Sequence, residues 1–274
     1  TTAPAANTSF FAVLLGSDNG GTVTPTDASV TPPKTTFFNT DPGNAADLGM
    51  LHIKSGDSGG GVASSADELV VEGSANSGIS ILSGASNIGR VNFGDSGDDD
   101  IGIIFYDHSD NSLTIRNNAT NHMVIDSDGA VTKPLQPAFH AHLNATANNI
   151  SVGAYTLPAF SDERFDRGGD YNNSSYEFTC PVAGLYHFEV HVRLQEVDSA
   201  ANYYGMRIEG TNRSMWTTLT QTSGTDRDPS YMTMVGSYFI DCDANDVVYV
   251  RIYQNGGTNQ VDIGEGFFSG YLVM

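Results

Sequence analysis

Two segments near the carboxy-terminal end of the chain have apolar side chains at every second position. The apolar positions of Gly184–Leu194 are Tyr186, Phe188, Val190, Val192 and Leu194, and those of Asp246–Gln254 are Val248, Val250 and Ile252. A period of two places such positions on one side of a β-strand. Both segments are therefore predicted to be strands with one side in a core and the other facing water or another subunit.

Shorter apolar runs recur through residues 51–133, separated by turn clusters such as "SGDSGGG" and "DHSDNS". Strands and turns that alternate at a spacing near ten residues indicate β structure. The runs contain few large side chains, so we expect this part to share its core between chains, as a stalk within an intertwined trimer. The predicted strands are Met50–Ile53, Glu68–Glu72, Gly78–Leu82, Arg90–Phe93, Ile101–Tyr106, Ser112–Ile115 and His122–Ile125.

Residues 1–50 contain the short apolar run Phe10–Leu15 and then a polar stretch with several prolines. Proline at this density disfavours regular hydrogen-bonded ladders and favours extended backbone. We therefore expect an extended attachment arm at 1–50, a β-rich stalk at 51–133 and a separate domain at 134–274, which begins where Pro134 and Pro137 mark a boundary.

Composition supports an all-β fold. The chain has 274 residues, of which 39% are hydrophobic, 16% are charged and 30 are glycine. Low charge and abundant glycine suit turn-rich β structure, and no segment repeats apolar residues at helical spacing.

The net charge of −20 excludes some classes of partner. Nucleic-acid recognition begins with basic contacts to phosphate, which this surface would repel. No run of 18 apolar residues is present, so we expect no membrane insertion. Cys180 and Cys242 are the two cysteines, and we expect buried free thiols, with a bridge between them as the alternative.

Residues Phe165–Phe188, "FDRGGDYNNSSYEFTCPVAGLYHF", resemble the pattern of the complement C1q globular head. Three other segments are similar to strands of that family, in the same order: "PAFHAHL" (Pro137–Leu143), "GSYFIDCDANDVVYVRI" (Gly236–Ile252) and "FFSGYLV" (Phe267–Val273). The turn after Phe165 is shorter than in animal members. The resemblance implies a jelly-roll β-sandwich that packs as a threefold trimer, related to the tumour-necrosis-factor type.

Residues Ala66–Val131 resemble a module of tail-fibre and other structural proteins of marine phages. The most specific segments are "YDHSDNSL" (Tyr106–Leu113) and "IDSDG" (Ile125–Gly129). This resemblance implies a component of a virion and assigns no catalysis.

Outward positions of the predicted strands suggest surfaces for subunit contact and for ligand binding. A trimer needs partners for outward aromatic and histidine side chains, and an exposed aromatic beside arginine suits glycan or protein recognition. The candidate trimer-facing residues are His187, Glu189, His191, Tyr249, Arg251 and Tyr253, and the candidate ligand-binding residues are Arg213, Trp216, Arg227 and Tyr231. The alternative for Trp216 is a place in the core or in a trimer contact.

Three kinds of site in the sequence would suit a metal ion, although no cofactor is expected. His140 and His142 point the same way along one strand, and around a threefold axis such pairs would suit a transition metal. The acidic turns Gly94–Asp100, Asp126–Gly129 and Asp241–Asp246 would suit calcium. His187, Glu189 and His191 share one side of a strand and would hold a metal or respond to pH. Polar strand positions and ordinary turns are the alternatives.

The sequence offers no support for an enzyme. "SGDSGGG" (Ser55–Gly61) contains the letters of a serine-protease nucleophile loop, but only 57 residues precede Ser58. That length has no room for the protease barrel that supplies the histidine and aspartate. No long β-helix repeat of a glycan-cleaving tail spike is present either.

These observations favour a homotrimeric phage tail fibre or spike on the virion. Residues 1–50 are expected to contact other virion proteins, and the terminal jelly rolls to contact a host-cell receptor, protein or glycan. One alternative is a capsid fibre, decoration or structural tail protein without receptor binding. Another is a secreted adhesive module, although animal members usually carry collagen-like repeats, which are absent here.

Overall fold

The computed structural model of the protein describes residues 51–218 and 227–274. These residues contain 18 β-strands and no helix, which confirms the all-β fold class. The predicted arm at 1–50 lies outside the described residues. The chain divides by its internal contacts into residues 1–80 and residues 81–274.

Residues 51–80 are the described part of the first unit. Its strands β1 (Leu51–Lys54) and β2 (Leu69–Glu72) pair in parallel. The carboxylate of Glu72 is buried between them and accepts hydrogen bonds from the Ser58 amide, at 2.7 Å, and the Ser58 hydroxyl, at 3.0 Å. Lys54 Nζ lies 3.2 Å from Glu72 Oε2. One acidic side chain therefore ties both strands to the loop between them.

The second unit begins with an antiparallel five-stranded sheet whose strands follow in chain order. All its strand pairs join neighbouring segments of the same chain. Its strands are β3 (Ile88–Phe93), β4 (Gly102–Asp107), β5 (Ser112–Asn117), β6 (Thr120–Ile125) and β7 (Val131–Thr132). The predicted strand at Gly78–Leu82 is wrong, because this segment pairs with no strand and Leu82 is 91% exposed.

Two further sheets form the sandwich of residues 138–272. One is five-stranded, and the strands that come first and last in the chain order of the sandwich are neighbours in it. In spatial order its strands are β10 (Asp162–Arg167), β8 (Ala138–His142), β18 (Asp262–Leu272), β13 (Gly184–Gln195) and β16 (Tyr231–Cys242).

The opposing sheet is six-stranded and is built around β17 (Val247–Gly256). The remaining strands are β9 (Tyr155–Thr156), β11 (Tyr171–Asn172), β12 (Glu177–Thr179), β14 (Ala201–Gly210) and β15 (Ser214–Thr218). The short strands β12 and β9 pair with the same edge of β17, one at each end. The longer strand β14 pairs with the other edge of β17.

The core between the two sheets contains the apolar sets predicted from alternation. The five apolar positions of Gly184–Leu194 and the three of Asp246–Gln254 are all fully buried. Phe139 on β8 lies at the centre, stacked on Phe178 at 4.6 Å between ring centroids and on Tyr171 at 4.7 Å. Interdigitated side chains from both sheets fill the interior of a β-sandwich in this way.

Cys180 and Cys242 are both buried and unbridged, in agreement with the expected free thiols. Cys180 follows β12 in one sheet, and Cys242 ends β16 in the other. A hydrogen bond with Cys242 and burial both raise the pKa of the Cys180 thiol. This thiol is therefore protonated and inert at neutral pH.

Among residues 51–218 and 227–274, no helix is long and apolar enough to cross a bilayer.

Candidate functional site

The outer side of the sandwich's five-stranded sheet carries a row of histidine and aromatic rings. Phe267 on β18 lies between His142 on β8 and His191 on β13 in the strand register. The ring of His191 stacks on Phe267 in nearly parallel planes, 5° apart, with 5.6 Å between centroids. Alternation along each strand sends these rings outward because the intervening residues fill the core.

A second row crosses the same side of this sheet. His187 packs between Phe239, at 5.0 Å, and Tyr271, at 5.3 Å between centroids. His187 Nε2 and Ser237 Oγ are 2.8 Å apart. Phe239 is 59% exposed and lies on β16, an edge strand of this sheet. We call this surface the histidine face, defined by His140, His142, His187, Glu189, His191, Phe239, Phe267 and Tyr271.

His140 and His142 converge at one end of the histidine face. Their Nε2 atoms are 2.7 Å apart, which confirms that both rings point the same way. Burial, followed by the neighbouring His142 and Arg164, lowers the pKa of His140. Neutral imidazole is the form that binds transition metals, so the pair offers two adjacent nitrogen ligands.

The outer side of the six-stranded sheet has different chemistry. Arg207 on β14 lies beside Trp216 on β15 and Arg251 on β17 in the register. The Arg207 guanidinium lies 5.3 Å from the indole centroid. The Arg251 guanidinium lies 5.1 Å from the ring of Tyr249. Arginine over an aromatic ring is a favourable cation–π contact.

Three tyrosines continue this surface along the sheet. Tyr253 lies 5.0 Å from Tyr155 and 6.0 Å from Tyr203, measured between ring centroids. Gly205 lies in their midst, where a Cβ would come within 3.2 Å of the indole of Trp216. We call this surface the tyrosine face, defined by Tyr155, Tyr203, Arg207, Glu209, Trp216, Tyr249, Arg251 and Tyr253.

Glu209 links the two arginines of the tyrosine face. Its Oε2 atom lies 3.4 Å from Arg251 Nε and 3.7 Å from Arg207 Nε. Arg207 Nε and Glu209 Oε2 are buried atoms without a hydrogen-bond partner among the described residues. The tyrosine face thus combines aromatic rings with two polar atoms that are available for further hydrogen bonds.

The predicted ligand-binding residues occupy separate places in the structure. Arg213 forms an ion pair with Asp241 at 3.2 Å, and Tyr231 lies under Arg193 at 4.8 Å. Arg227 is exposed and follows the residues 219–226 that are not described. Trp216 instead contacts Tyr155 and Arg207. The sequence did not predict these contacts, because Tyr155 is far away in the chain and Arg207 lies on a different strand.

The predicted trimer-facing residues fall into two groups on opposite sides of the sandwich. His187, Glu189 and His191 lie on β13 in the histidine face. Tyr249, Arg251 and Tyr253 lie on β17 in the tyrosine face. One flat contact between two copies cannot bury both groups.

The acidic turns are organised by their own backbone. Asp95 Oδ1 accepts the amides of Gly97, at 2.7 Å, and Asp98, at 3.1 Å. Asp126 accepts those of Asp128 and Ala130. Such contacts are typical of Asx turns. Asp98, Asp99 and Asp100 lie close enough together to share a cation, and calcium there stays a prediction.

The serine of "SGDSGGG" is held by a carboxylate. Ser58 Oγ donates to Glu72 Oε1, while His52 Nε2 lies 2.8 Å from the other oxygen of the same group. In a serine protease the histidine lies between serine and carboxylate and takes the serine proton. Here the carboxylate lies between the other two residues, which suits a structural role.

The carboxy-terminal half of the chain is similar to known proteins. Residues 138–273 match the family model of the C1q domain. The globular domain of the zebrafish complement 1qA protein is 19% identical, with a TM-score of 0.38, over 51% of this chain and 98% of that one.

Two other similar structures cover the same part of the chain. PRD1 vertex protein P5 is 13% identical, with a TM-score of 0.37, over 51% of this chain and 99% of that one. Murine APRIL at pH 5.0 is 14% identical, with a TM-score of 0.36, over 50% of this chain and 99% of that one. Together, the family match and the two packed antiparallel sheets show that residues 138–273 form a C1q-like jelly-roll domain.

Proposed function

We propose that this protein is a non-enzymatic, homotrimeric fibre or spike of a virus particle, most specifically a phage tail fibre. Its carboxy-terminal jelly rolls contact a host-cell receptor, and its first 50 residues contact other virion proteins. The observation that carries the proposal is the histidine face, where Phe239 and Tyr271 remain 59% and 48% exposed on the outer side of a sheet.

The histidine face is the best candidate for the subunit contact. C1q-like domains commonly form homotrimers, and exposed aromatic clusters on a sheet favour association. Phe239, Phe267 and Tyr271 supply the apolar area, and His187, between two of these rings, supplies a polar contact with Ser237. Burial of this face between copies would remove its rings from water without rearranging either sheet.

The tyrosine face is then the candidate receptor surface, because it lies on the opposite side of the sandwich and stays open in such a trimer. Tyrosine and tryptophan rings stack on the apolar sides of sugars or pack against protein side chains. Arg207, Glu209 and Arg251 add polar groups. Three such faces on one trimer gain avidity even when each binds weakly.

The virion assignment rests on the resemblance of residues 66–131 to structural proteins of marine phages. The net charge of −20 per chain, about −60 for a trimer, keeps particles apart in saline water and disfavours nucleic acid as a partner. The sequence and the described residues suggest no catalytic role.

A structural virion protein without receptor binding is the second candidate. The mutual packing of Tyr155, Tyr203 and Tyr253 favours it, because rings that contact one another already have part of their surface covered. Binding to host cells separates the two candidates. Under the first, the unmodified chain binds host cells and Trp216→Ala loses that binding, whereas under the second neither chain binds.

Light scattering on the full chain tests the assembly. We expect a mass of about 87 kDa, three times the 29.1 kDa of one chain, with and without chelator. A mass of 29.1 kDa would contradict the proposal, and loss of the trimer on chelation would assign a metal to the contact. Mass spectrometry of purified virus particles that encode the chain should detect it among their structural proteins, and its absence would exclude the virion role.

A further inference from the structure

The sheet of β3–β7 has one side that is almost wholly apolar. The strand register aligns Val91, Ile104, Ile115 and Met123 in one row across four strands. A second row contains Tyr106, Leu113, Ile125 and Val131. We call these two rows, together with Phe93, the apolar ladder.

The apolar ladder is open to solvent in the single chain. Phe93 is 55% exposed, and Ile104 is 42% exposed. On the other side of the same sheet, Ile103 and Thr114 are 3% and 2% exposed. Large apolar side chains carry on the order of 150–200 Å² each, so the ladder presents roughly 600 Å², at the upper limit for a monomeric protein.

The composition of the ladder indicates an apolar partner. Its two rows contain no charged side chain, whereas acidic residues gather in the turns at the ends of the strands, as in Asp95–Asp100 and Asp107–Asp110. Copies of a chain with a net charge of −20 repel one another unless an uncharged surface offsets the repulsion. The ladder is such a surface, with the acidic turns left at its rim.

The connection to the jelly roll identifies that partner as further copies of this chain. Only Lys133–Pro137 separates β7 from β8, and the Pro137 carbonyl accepts the Leu272 amide of the jelly roll at 3.0 Å. A segment this short spans less than about 20 Å. In a trimer of jelly rolls, the ladders of three copies are therefore held together at an effective concentration in the millimolar range.

We infer that the ladders of three copies face one another around the trimer axis and form a shared apolar core. This inference rests on the proposed trimer. The backbone groups of β4, β5 and β6 are already paired within each chain, so the contact is made by side chains between sheets. Sheets in such packing lie about 10 Å apart.

Cross-linking with a short bis-maleimide tests the inference on the full chain. Ile115→Cys and Leu113→Cys place a thiol in the ladder, and Asn92→Cys places one at an exposed position on the opposite side of the sheet. Cys180 and Cys242 are buried and give little background. We expect the ladder variants to yield cross-linked species about tenfold faster than Asn92→Cys at low protein concentration.

The outcomes separate this inference from the proposed function. A trimer by light scattering without preferential ladder cross-linking would overturn the inference and leave the trimer standing. A single chain by light scattering would overturn the proposed function itself. If Ile115→Cys fails to fold, the cross-linking rate of Leu113→Cys, in the neighbouring row, tests the same contact.

Discussion

The guanidinium of Arg207 lies over the indole of Trp216, 5.3 Å from the ring centroid, and both residues belong to adjacent strands of one exposed sheet. Trp216 is the sole tryptophan of the chain and is 46% exposed. Its fluorescence therefore reports on the tyrosine face alone.

Gly205→Ala is expected to displace this indole. The new Cβ would lie 3.2 Å from the ring, closer than van der Waals contact allows, so the ring must move away by a few tenths of an ångström. We expect a shifted emission maximum in the variant, since the distance between the indole and the charged Arg207 guanidinium changes. Gly61→Ala, where open space surrounds the new methyl group, is the control and should leave the spectrum unchanged.

Phe239→Glu is expected to dissociate the trimer while each jelly roll stays folded. A charge would enter the proposed contact without a partner, and such burial is strongly unfavourable. The mass by light scattering should fall towards 29.1 kDa at micromolar concentration. Leu157→Glu places the same charge at another exposed apolar position and should keep the trimer.

Phe139→Ala provides the contrast for that experiment. This ring is 1% exposed and stacks on Tyr171 and Phe178, so its loss should destabilise the jelly roll by about 3–5 kcal/mol. If Phe239→Glu lowered the melting temperature as much as Phe139→Ala, Phe239 would stabilise the fold of the single jelly roll. It would then not count as the main apolar residue of the proposed subunit contact.

Glu72 should make residues 51–80 sensitive to strong acid. The Ser58 amide, followed by the Ser58 hydroxyl, Lys54 and His52, lowers the pKa of this carboxyl to about 2, against the opposing effect of burial. A carboxyl with a lowered pKa stabilises the fold fully above its unfolded value near 4.5, and the contribution is lost as the pH falls towards 2.

Amide exchange of Ser58, followed by NMR between pH 6 and pH 2, measures this contribution. We expect protection to persist to about pH 4 and to fall near pH 2. Glu72→Gln should reduce protection at every pH, whereas Glu68→Gln, which removes an exposed charge, should change little. Protection that stayed constant down to pH 2 would show that the carboxylate does not hold the loop.

His140 and His142 should bind Zn²⁺ or Ni²⁺ as a pair. Their Nε2 atoms are 2.7 Å apart and need only a small opening to reach one ion at metal–nitrogen distances of about 2.0–2.1 Å. Calorimetry on the full chain should show binding that His140→Ala weakens on the order of tenfold, because a chelate becomes a single ligand. His187→Ala, on the same face, is the matched control, and equal loss in both variants would rule out a specific pair.

Alternation alone predicted eight interior positions of the jelly roll, five on β13 and three on β17. Every second residue from Tyr186 to Leu194 is buried, because β13 is long and covered on one side only. The same reasoning failed at Gly78–Leu82, where an apolar run has no neighbouring strand to pair with.

The tyrosine face shows why sites are harder to predict than strands. Trp216 and Tyr253 were assigned to a ligand surface and a subunit contact, yet both belong to one surface. They are joined through β14, whose pairing with β15 and β17 depends on the whole sandwich. Nothing in the local pattern around Arg207 or Gly205 signals that these residues link them.

The position of β18 constrains how the jelly roll is made. This strand lies between β8, the first strand of the domain, and β13, so one edge of residues 138–142 pairs with residues 262–272, while the other edge pairs with β10. Pairings so distant in sequence close slowly, because a long loop must be ordered before they form. During synthesis the aromatic core therefore remains incomplete until the last strand emerges, and the domain closes as one late event rather than strand by strand.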